Sequence, residues 1–396
     1  MDGRDILAST EAIARTHGAT DEMRYIVARR LGIRGEGLGN EMLPWAKGMI
    51  ASQVLNATLI GPSWGLNKRK YYRNFETSRL DFLLEDALVR LPHYRFTEND
   101  YIESGEVDFG IAIERWANRQ GLLRKRHFIV TIDGMYGGYA SIHNARLFLW
   151  AKLLNSRDAI RNVYQVASKV DRSKLFVAVH MRFGGDFTKL NEGENARGKF
   201  NIFIPGEWYL HACQALVHEL GDSVKFHFFT DRGGPEFDEA VRRFNPGQIH
   251  QPGLTECSDL VLMAQADLRI CSISSYSLAA SFLSCGPYLW YEPQLTRKDG
   301  IYSLWGMEEQ QRLEGSPTNL STTLAKEIEP GSLWESEFRG YAMRTGGAFP
   351  TGLLAQLQRR LLAKNPMTSL LEYGSLPSWT CEPNLEEEIG HDNRSA

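Results

Sequence analysis

Residues 175–179, Leu-Phe-Val-Ala-Val, form an uninterrupted apolar run that leads directly into ionisable and glycine residues. Such a run predicts a strand covered on both faces, because only a strand with neighbours above and below it buries every side chain. His180, Arg182 and Asp186 follow its carboxyl end, and two intervening glycines leave room for a ligand against the backbone. The segment therefore predicts an α/β fold with a ligand site at the carboxyl edge of a parallel sheet.

Strand-like and helix-like patterns alternate along the chain, which favours parallel sheets with helices packed on their faces. The predicted strands span 23–33, 58–61, 127–132, 175–181, 224–230, 268–271 and 288–291, and the predicted helices span 41–56, 79–91, 107–119, 142–170, 206–220, 236–244, 258–265 and 276–284. A chain of 396 residues exceeds one ordinary core, so we predict two Rossmann-like domains. They span 23–170 and 171–310, between an N-terminal extension over 1–22 and a C-terminal extension over 311–396 whose polar end we expect to be disordered.

The charges of the chain are nearly balanced, with 45 Lys and Arg against 48 Asp and Glu and a net charge of -3. This balance provides no basic footprint for nucleic acid, so we expect no nucleic-acid partner. Two local basic clusters, KRKYYR at 68–73 and RKR at 124–126, are either solvated surface charge or a means of attracting an anionic substrate.

The cysteines are odd in number and none has CxxC spacing. They lie at positions 213, 257, 271, 285 and 381. Three fall in segments predicted to be buried, which indicates reduced thiols and a cytoplasmic protein. The segment over 1–22 carries charge throughout, and no window of the chain reaches the ~20 apolar residues of a membrane span. We therefore expect neither a signal peptide nor an integral membrane segment.

A glycine-rich loop over 35–40, Gly-Glu-Gly-Leu-Gly-Asn, stands between the first predicted strand and the first predicted helix. Glycines there let backbone amides face a ligand, and a helix N-terminus favours negative charge. Many strand-to-helix turns contain glycine merely to make the turn, so both interpretations stay open. The spacing does not fit a dinucleotide fingerprint, and no GK[ST] follows as in a P-loop.

Two further segments have a structural and a functional interpretation each. His180 is either a hydrogen-bonded core histidine or a ligand-binding one, and Arg182 belongs either to a structural ion pair or to a site. We favour a site, because a charged side chain directly after an apolar strand needs a partner or a ligand. Ser274 and Ser275 precede a predicted helix, where serine is an ordinary N-cap but paired serines also hold phosphate.

Three motifs carry a family resemblance. HMRFGGDF at 180–187 resembles the HxRxGxDW motif of protein O-fucosyltransferases and is similar to the HxRRxDY-type motif of bacterial α-1,2-fucosyltransferases. GEGLGNEM at 35–42 resembles the GxxGNQ loop of that superfamily. The stretch DLVLMAQADLRICSISSYSLAASFL at 259–283 resembles its DLxLMxxCxxxIxxxSSFSWWxAxL block. The motifs occur in the right order over roughly residues 24–290, and the tail after about residue 310 is not covered.

The resemblance implies a GT-B glycosyltransferase, with two Rossmann-like domains facing each other across a cleft, that inverts the anomeric centre of GDP-β-L-fucose. The acceptor would contact the domain over 23–170 and the nucleotide sugar the domain over 171–310. The resemblance assigns donor binding to His180, Arg182, Gly39, Asn40, Asp231, Ser274 and Ser275, and catalysis to Arg182 and Asn40. Asp186 is a further catalytic candidate because of its proximity to the motif. Arg182 would hold the pyrophosphate and stabilise the departing GDP, while Asn40 would reach towards donor and acceptor from the other domain.

Charge at the leaving group agrees with this assignment. Negative charge builds on the diphosphate as the glycosidic bond breaks, and a fixed guanidinium with helix-terminal amides stabilises that charge. The chain contains no DxD motif, so we predict metal independence and no cofactor beyond the donor substrate. A carboxylate that deprotonates the acceptor hydroxyl would be Asp186, Glu36 or Glu41, and the sequence does not choose among them.

Three positions depart from the family pattern. Phe183 stands where the HxRR form has its second arginine, which agrees with the protein O-fucosyltransferase version. Glu41 replaces the glutamine of GNQ, and Leu278 with Ala279 replaces the tryptophan pair. The last change leaves the donor open to another nucleotide sugar. A non-catalytic nucleotide-sugar or glycan-binding protein of the same fold is the alternative, while a Rossmann-type reductase would require a cofactor loop that the chain lacks.

The acceptor, a glycan or a small hydroxylated molecule, is expected to contact residues 62–126. Aromatic side chains in this region either stack on sugar rings or belong to the core. They are Trp64, Tyr71, Tyr72, Tyr94 and Trp116. The sequence does not indicate an oligomeric state.

Overall fold

The computed structural model describes residues 23–29, 37–64, 68–77, 79–184, 195–196, 201–250, 256–284, 286–295 and 340–371. Its strands form two parallel sheets and one short antiparallel pair, which consists of β6 (Asn195–Ala196) and β7 (Asn201–Ile202). Helices are interspersed between the strands of both sheets. The predicted α/β class with two parallel sheets is confirmed.

The first sheet has four strands in the order β2-β1-β4-β3, and every neighbouring pair is parallel. Its strands are β1 (Met23–Ala28), β2 (Thr58–Ile60), β3 (Tyr94–Phe96) and β4 (His127–Ile132). The helices between them are α1 (Leu38–Val54), α2 (Arg79–Arg90), α3 (Glu98–Ser104) and α4 (Phe109–Arg119), with 3₁₀ turns at Tyr71–Arg73 and Leu122–Arg124. Apolar residues at helical spacing bury one face of α4, where Phe109, Ile113 and Trp116 enter the core.

The chain leaves the first sheet through a helical region that the sequence predicts as continuous over 142–170. The structure divides this region into a 3₁₀ segment (Ala140–Ala145), α5 (Arg146–Leu154) and α6 (Arg157–Ala167). The break falls at Ser156, whose hydroxyl accepts the amide of Ala159 and so caps the start of α6. A serine that caps a helix interrupts an apolar periodicity only locally, which is why the pattern alone predicts one helix.

The second sheet has six strands in the order β12-β11-β10-β5-β8-β9, and all neighbouring pairs are parallel. Its strands are β5 (Leu175–Met181), β8 (Val224–Thr230), β9 (Gln248–His250), β10 (Leu268–Ile270), β11 (Tyr288–Tyr291) and β12 (Gly340–Met343). The helices that accompany them are α7 (Gly206–Leu220), α8 (Pro235–Phe244), α9 (Glu256–Ala264), α10 (Ser275–Leu283), α11 (Glu292–Leu295) and α12 (Thr351–Leu362).

The strand order of the second sheet indicates where a ligand is expected to bind. From β9 to β12 the strands occur in the sequence third, second, first, fourth, fifth and sixth, which is the doubly wound order of nucleotide-binding sheets. The winding reverses between β5 and β10, and ligands bind outside the carboxyl ends of the strands at that reversal. All seven residues of β5 are buried, as its apolar run predicts.

Part of the predicted C-terminal extension belongs to the second sheet. Tyr341 on β12 pairs with Leu289 on β11, so residues 340–343 form the edge of that sheet. The indole of Trp208 on α7 donates to the carbonyl of Met343 at 2.9 Å, which fixes the same strand from one face. A four-residue strand among glycine and polar residues is too short to be recognised from its pattern.

The two sheets are joined by direct helix contacts. Trp150 on α5 donates its indole N–H to the carbonyl of Leu283 on α10 at 2.7 Å. Asp158 on α6 accepts the amides of Cys257 and Ser258, at 2.8 and 3.1 Å, and thereby caps the start of α9. Among the described residues, no helix combines the length and the apolar composition that crossing a membrane requires.

Candidate functional site

The turn after β5 presents Arg182 at the reversal point of the second sheet. Met181 lies opposite Thr230, so Asp231, the next residue of the neighbouring strand, stands beside the turn. The Asp231 Oδ1 atom accepts the amides of Phe183 at 3.0 Å and Gly184 at 2.9 Å. Its Oδ2 atom lies 3.8 Å from Nε of Arg182, whose side chain is 25% exposed. One carboxylate therefore holds both the backbone of the turn and the guanidinium, which stays accessible from solvent.

His180 connects β5 to the segment that follows β10. Its Nδ1 atom lies 2.7 Å from the hydroxyl of Ser277 and 3.0 Å from that of Ser272, and the two hydroxyls are 3.3 Å apart. Burial lowers the pKa of His180 to about 4; the charge of Asp231 opposes this shift and that of Arg182 adds to it. The imidazole is therefore neutral at neutral pH and serves as a hydrogen-bonded link between two strand ends.

The start of α10 lies at the same edge. Ser274 is the N-cap, and its hydroxyl accepts the amide of Tyr276 at 3.2 Å, so the N-cap interpretation holds for this serine. Ser275 follows as the first helical residue and stays partly exposed. The first amides of a helix have no partner within the helix and create positive potential there. This terminus can receive an anion through its backbone and through Ser275.

The glycine-rich loop meets α10 by direct backbone contact. A Cβ atom on Gly39 would lie 2.4 Å from the carbonyl oxygen of Ser275 and 2.8 Å from the amide nitrogen of Tyr276. The hydroxyl of Tyr139, which is fully buried, donates to the carbonyl of Gly39 at 2.5 Å. Gly39 is thus required because two helix N-termini touch at this point. Asn40 follows in the first turn of α1 and is partly exposed.

Of the three predicted bases, the structure describes only one. Asp186 and Glu36 lie outside the described residues. Glu41 is completely buried in α1, which argues against it as the base for an acceptor hydroxyl that arrives from solvent. Within the described ranges, no three His, Cys, Asp or Glu side chains come together as metal ligands would.

Two tyrosines at the site were not singled out from the sequence. Tyr209 on α7 is buried and its hydroxyl is hydrogen-bonded to the backbone of Arg182; burial raises its pKa well above the usual range. Tyr276 donates to the backbone carbonyl of Glu256, and its ring lies 5.4 Å from that of His180. Both occur in apolar helix segments, where nothing distinguishes them from ordinary core aromatics.

Of the five aromatic side chains predicted to meet the acceptor, three belong to the core, and Tyr72 and Tyr94 stay partly exposed. Trp64, Tyr71 and Trp116 are buried, which is incompatible with stacking on a sugar ring in this conformation. From the basic cluster at 68–73, Arg69 reaches the second half of the molecule and pairs with Glu256 at 3.4 Å. The cluster therefore contributes to the junction between the halves as well as to the surface.

Comparison with known proteins gives only distant structural similarity. No protein-family model matches this chain, and no curated protein matches it. The crystal structure of POFUT1 in complex with GDP is similar, with 15% sequence identity and a TM-score of 0.39 over 67% of this chain and 95% of that chain. A crystal structure of POFUT1 in complex with GDP-fucose gives 15% identity and a TM-score of 0.37 over the same shares of the two chains. At these values the site residues themselves have to support any function.

Proposed function

We propose that this chain is a metal-independent, inverting glycosyltransferase that moves fucose from GDP-β-L-fucose to a hydroxyl of a glycan or another acceptor. The observation that carries the proposal is the convergence of three separate sequence motifs on the N-terminus of α10. Gly39 touches its backbone, His180 is hydrogen-bonded to Ser277 in its first turn, and Arg182 leaves the neighbouring strand at the same edge.

Arg182 has the chemistry that a departing diphosphate requires. A guanidinium presents a planar fork of donors and keeps its charge at any working pH. Charge-assisted hydrogen bonds to phosphate oxygens strengthen as the bond to the sugar breaks, so they stabilise the transition state more than the ground state. The α10 terminus adds amides that need no reorganisation when the charge develops.

His180 and Asn40 have supporting tasks in this proposal. The neutral His180 fixes the distance between the end of β5 and the start of α10, which are the two parts that grip the diphosphate. The carboxamide of Asn40 both donates and accepts hydrogen bonds, so it suits a contact with the donor sugar or the acceptor. Asp186 and Glu36 are retained as predicted bases, and a cytoplasmic location is retained with the reduced thiols of Cys213, Cys257 and Cys271.

Nucleotide selectivity is the first test of the proposal. Thermal unfolding is measured with GDP, UDP, dTDP and NADH; GDP alone should raise the Tm, because a ligand at 100 times its Kd stabilises a protein by about 2.7 kcal/mol. Stabilisation by NADH, or by none of the four, would overturn the assignment.

Turnover is the second test. Transfer of labelled fucose from GDP-fucose is measured across a panel of glycans and small hydroxylated acceptors, together with hydrolysis of the donor. We expect incorporation that is lost in Arg182→Ala. Binding of GDP without transfer or hydrolysis would favour the non-catalytic binding protein instead.

A further inference from the structure

We propose that Asp231 is a positioning residue that acts through Arg182 and its turn and does not contact the nucleotide. This inference rests on the proposed function and revises the role that the sequence resemblance implies for Asp231. Its basis is the use that the structure makes of both carboxylate oxygens.

Asp231 contacts the backbone of the turn through one carboxylate oxygen. Oδ1 of Asp231 accepts two consecutive amides, those of Phe183 and Gly184. A carboxylate that receives two neighbouring amides fixes the direction in which the chain leaves β5, and therefore the direction in which the preceding side chain points. The oxygen of the buried Tyr209 hydroxyl accepts a further hydrogen bond from the backbone amide of Arg182. The turn is thus held from the neighbouring strand and from α7.

The side-chain contact follows from the same geometry. Oδ2 of Asp231 lies 3.8 Å from Nε of Arg182, on the side of the guanidinium nearest the main chain. The carboxylate thus approaches Nε, whereas a bidentate contact with phosphate can use the two terminal nitrogens of a guanidinium. The same carboxylate placed against the diphosphate would repel it, because like charges at short range are unfavourable.

Gly184 is the structural condition for this arrangement. A Cβ atom at this position would lie 3.0 Å from Oδ2 of Asp231 and 3.2 Å from Cβ of Arg232. Even the smallest side chain would therefore press on the carboxylate. Gly184→Ala provides a perturbation of the carboxylate that removes neither charge.

A double-mutant cycle tests the inference. The variants are Asp231→Asn, Arg182→Ala and the double variant; GDP binding is measured by calorimetry and turnover by fucose transfer. Asparagine retains an oxygen for the amides but releases the guanidinium, so we expect kcat to fall ~10-fold while the Kd for GDP changes less than ~3-fold. In the Arg182→Ala background, Asp231→Asn should change neither quantity. Gly184→Ala should reproduce the fall in kcat.

One outcome of the cycle would overturn the inference. A rise of ~10-fold or more in the Kd for GDP, equal in both backgrounds, would mean that Asp231 contacts the nucleotide itself. Asp222→Asn, at the opposite end of β8 and exposed, serves as the matched control and should leave kcat and Kd unchanged.

A measurement without nucleotide separates this inference from the proposed function. Amide hydrogen exchange of the turn at 182–184 should accelerate in Asp231→Ala and stay unchanged in Asp222→Asn, since only the first removes the acceptor of two amides. Unchanged exchange in Asp231→Ala would contradict the positioning role even if GDP binds. Failure of the wild type to bind GDP, with the exchange result as expected, would contradict only the proposed function.

Discussion

A cationic side chain lies at the carboxyl edge of each sheet; one is fully buried and the other is partly exposed. At the first sheet, Lys47 of α1 is fully buried; its ammonium donates to the carbonyls of Gly134 and Tyr136 and lies 3.4 Å from the centre of the Tyr136 ring. At the second sheet, the side chain of Arg182 stays one-quarter exposed beside Asp231.

The difference separates a structural cation from the one that we propose to be functional. Lys47 is surrounded by carbonyls and an aromatic face from its own half, so its charge holds the segment after β4 against α1. The turn at Arg182 has its backbone held by Asp231, and the side chain of Arg182 stays one-quarter exposed. A buried position with internal acceptors indicates architecture, whereas a fixed but accessible charge indicates a site.

Removal of the exposed cation should have the largest effect. Arg182→Ala should lower the rate of fucose transfer by roughly two to three orders of magnitude, because one preorganised donor to the developing charge is lost. Its Tm should stay close to that of the wild type. Rates are compared at saturating donor; equal rates would show that the two cations do not differ in function.

A methyl group added at Gly39, where α1 touches α10, should have the next largest effect. In Gly39→Ala the new methyl group meets the backbone of Ser275, which cannot move aside as a side chain does. We expect a loss of about 3 kcal/mol in unfolding free energy, measured with urea. Gly37→Ala is the matched control, because nothing lies within 4 Å of that position. Equal stabilities for the two variants would contradict the contact between α1 and α10.

Removal of the buried cation should cost stability and leave nucleotide binding intact. Lys47→Met keeps the length of the side chain but leaves the carbonyl of Tyr136 without its donor, so we expect a loss of about 2 kcal/mol. Unfolding in urea and GDP binding are measured on the same preparation. Weaker GDP binding without loss of stability would assign Lys47 to the site and remove the contrast.

Protonation of His180 should have a smaller effect, which is a loss of unfolding free energy at low pH. Its pKa of about 4 in the folded protein lies below the usual 6.5, so the folded state resists protonation. The stabilisation is complete above pH 6.5 and is lost as the pH falls towards 4, which amounts to about 1 kcal/mol between pH 7 and pH 5.5. Urea unfolding of His180→Asn at these two pH values should show a correspondingly smaller difference. An identical pH dependence in both proteins would mean that His180 is not buried as a neutral link.

Chelation of divalent cations should have no effect on transfer. We predict equal rates with and without EDTA, because Arg182 and the α10 terminus supply the positive potential at the diphosphate. A loss of activity in EDTA that added Mg²⁺ or Mn²⁺ restores would contradict this prediction.

Long apolar runs made most of the second sheet predictable. β5, β8 and α7 have the bounds expected from sequence, because each buries a continuous or regularly spaced apolar set. The equally short β2 and β10 were predicted, whereas the three-residue strands β3 and β9 were missed because proline and polar residues flank them. Their positions depend on pairing with β4 and β8, which lie far away in sequence.

The sequence pointed to residues that the structure brings together at the end of β5 and the start of α10, but not to their contacts; their roles stay predictions. A charged residue directly after an apolar strand identified Arg182, and the serines identified the start of α10. The reason for Gly39 lies in the backbone of Ser275, more than 200 residues away, and no local pattern contains it. The same holds for Tyr209, whose hydroxyl bonds the Arg182 backbone from another helix. The domain boundaries stay predictions.

The strand that completes the second sheet is also among the last parts of it to be synthesised. Until residues 340–343 leave the ribosome, the outer side of β11 presents unpaired amides and carbonyls, and Trp208 lacks the carbonyl of Met343. A nascent chain that pauses before this point therefore exposes an unpaired strand edge, with which another chain can pair. Translation rate and chaperone supply should accordingly affect the soluble yield of this protein.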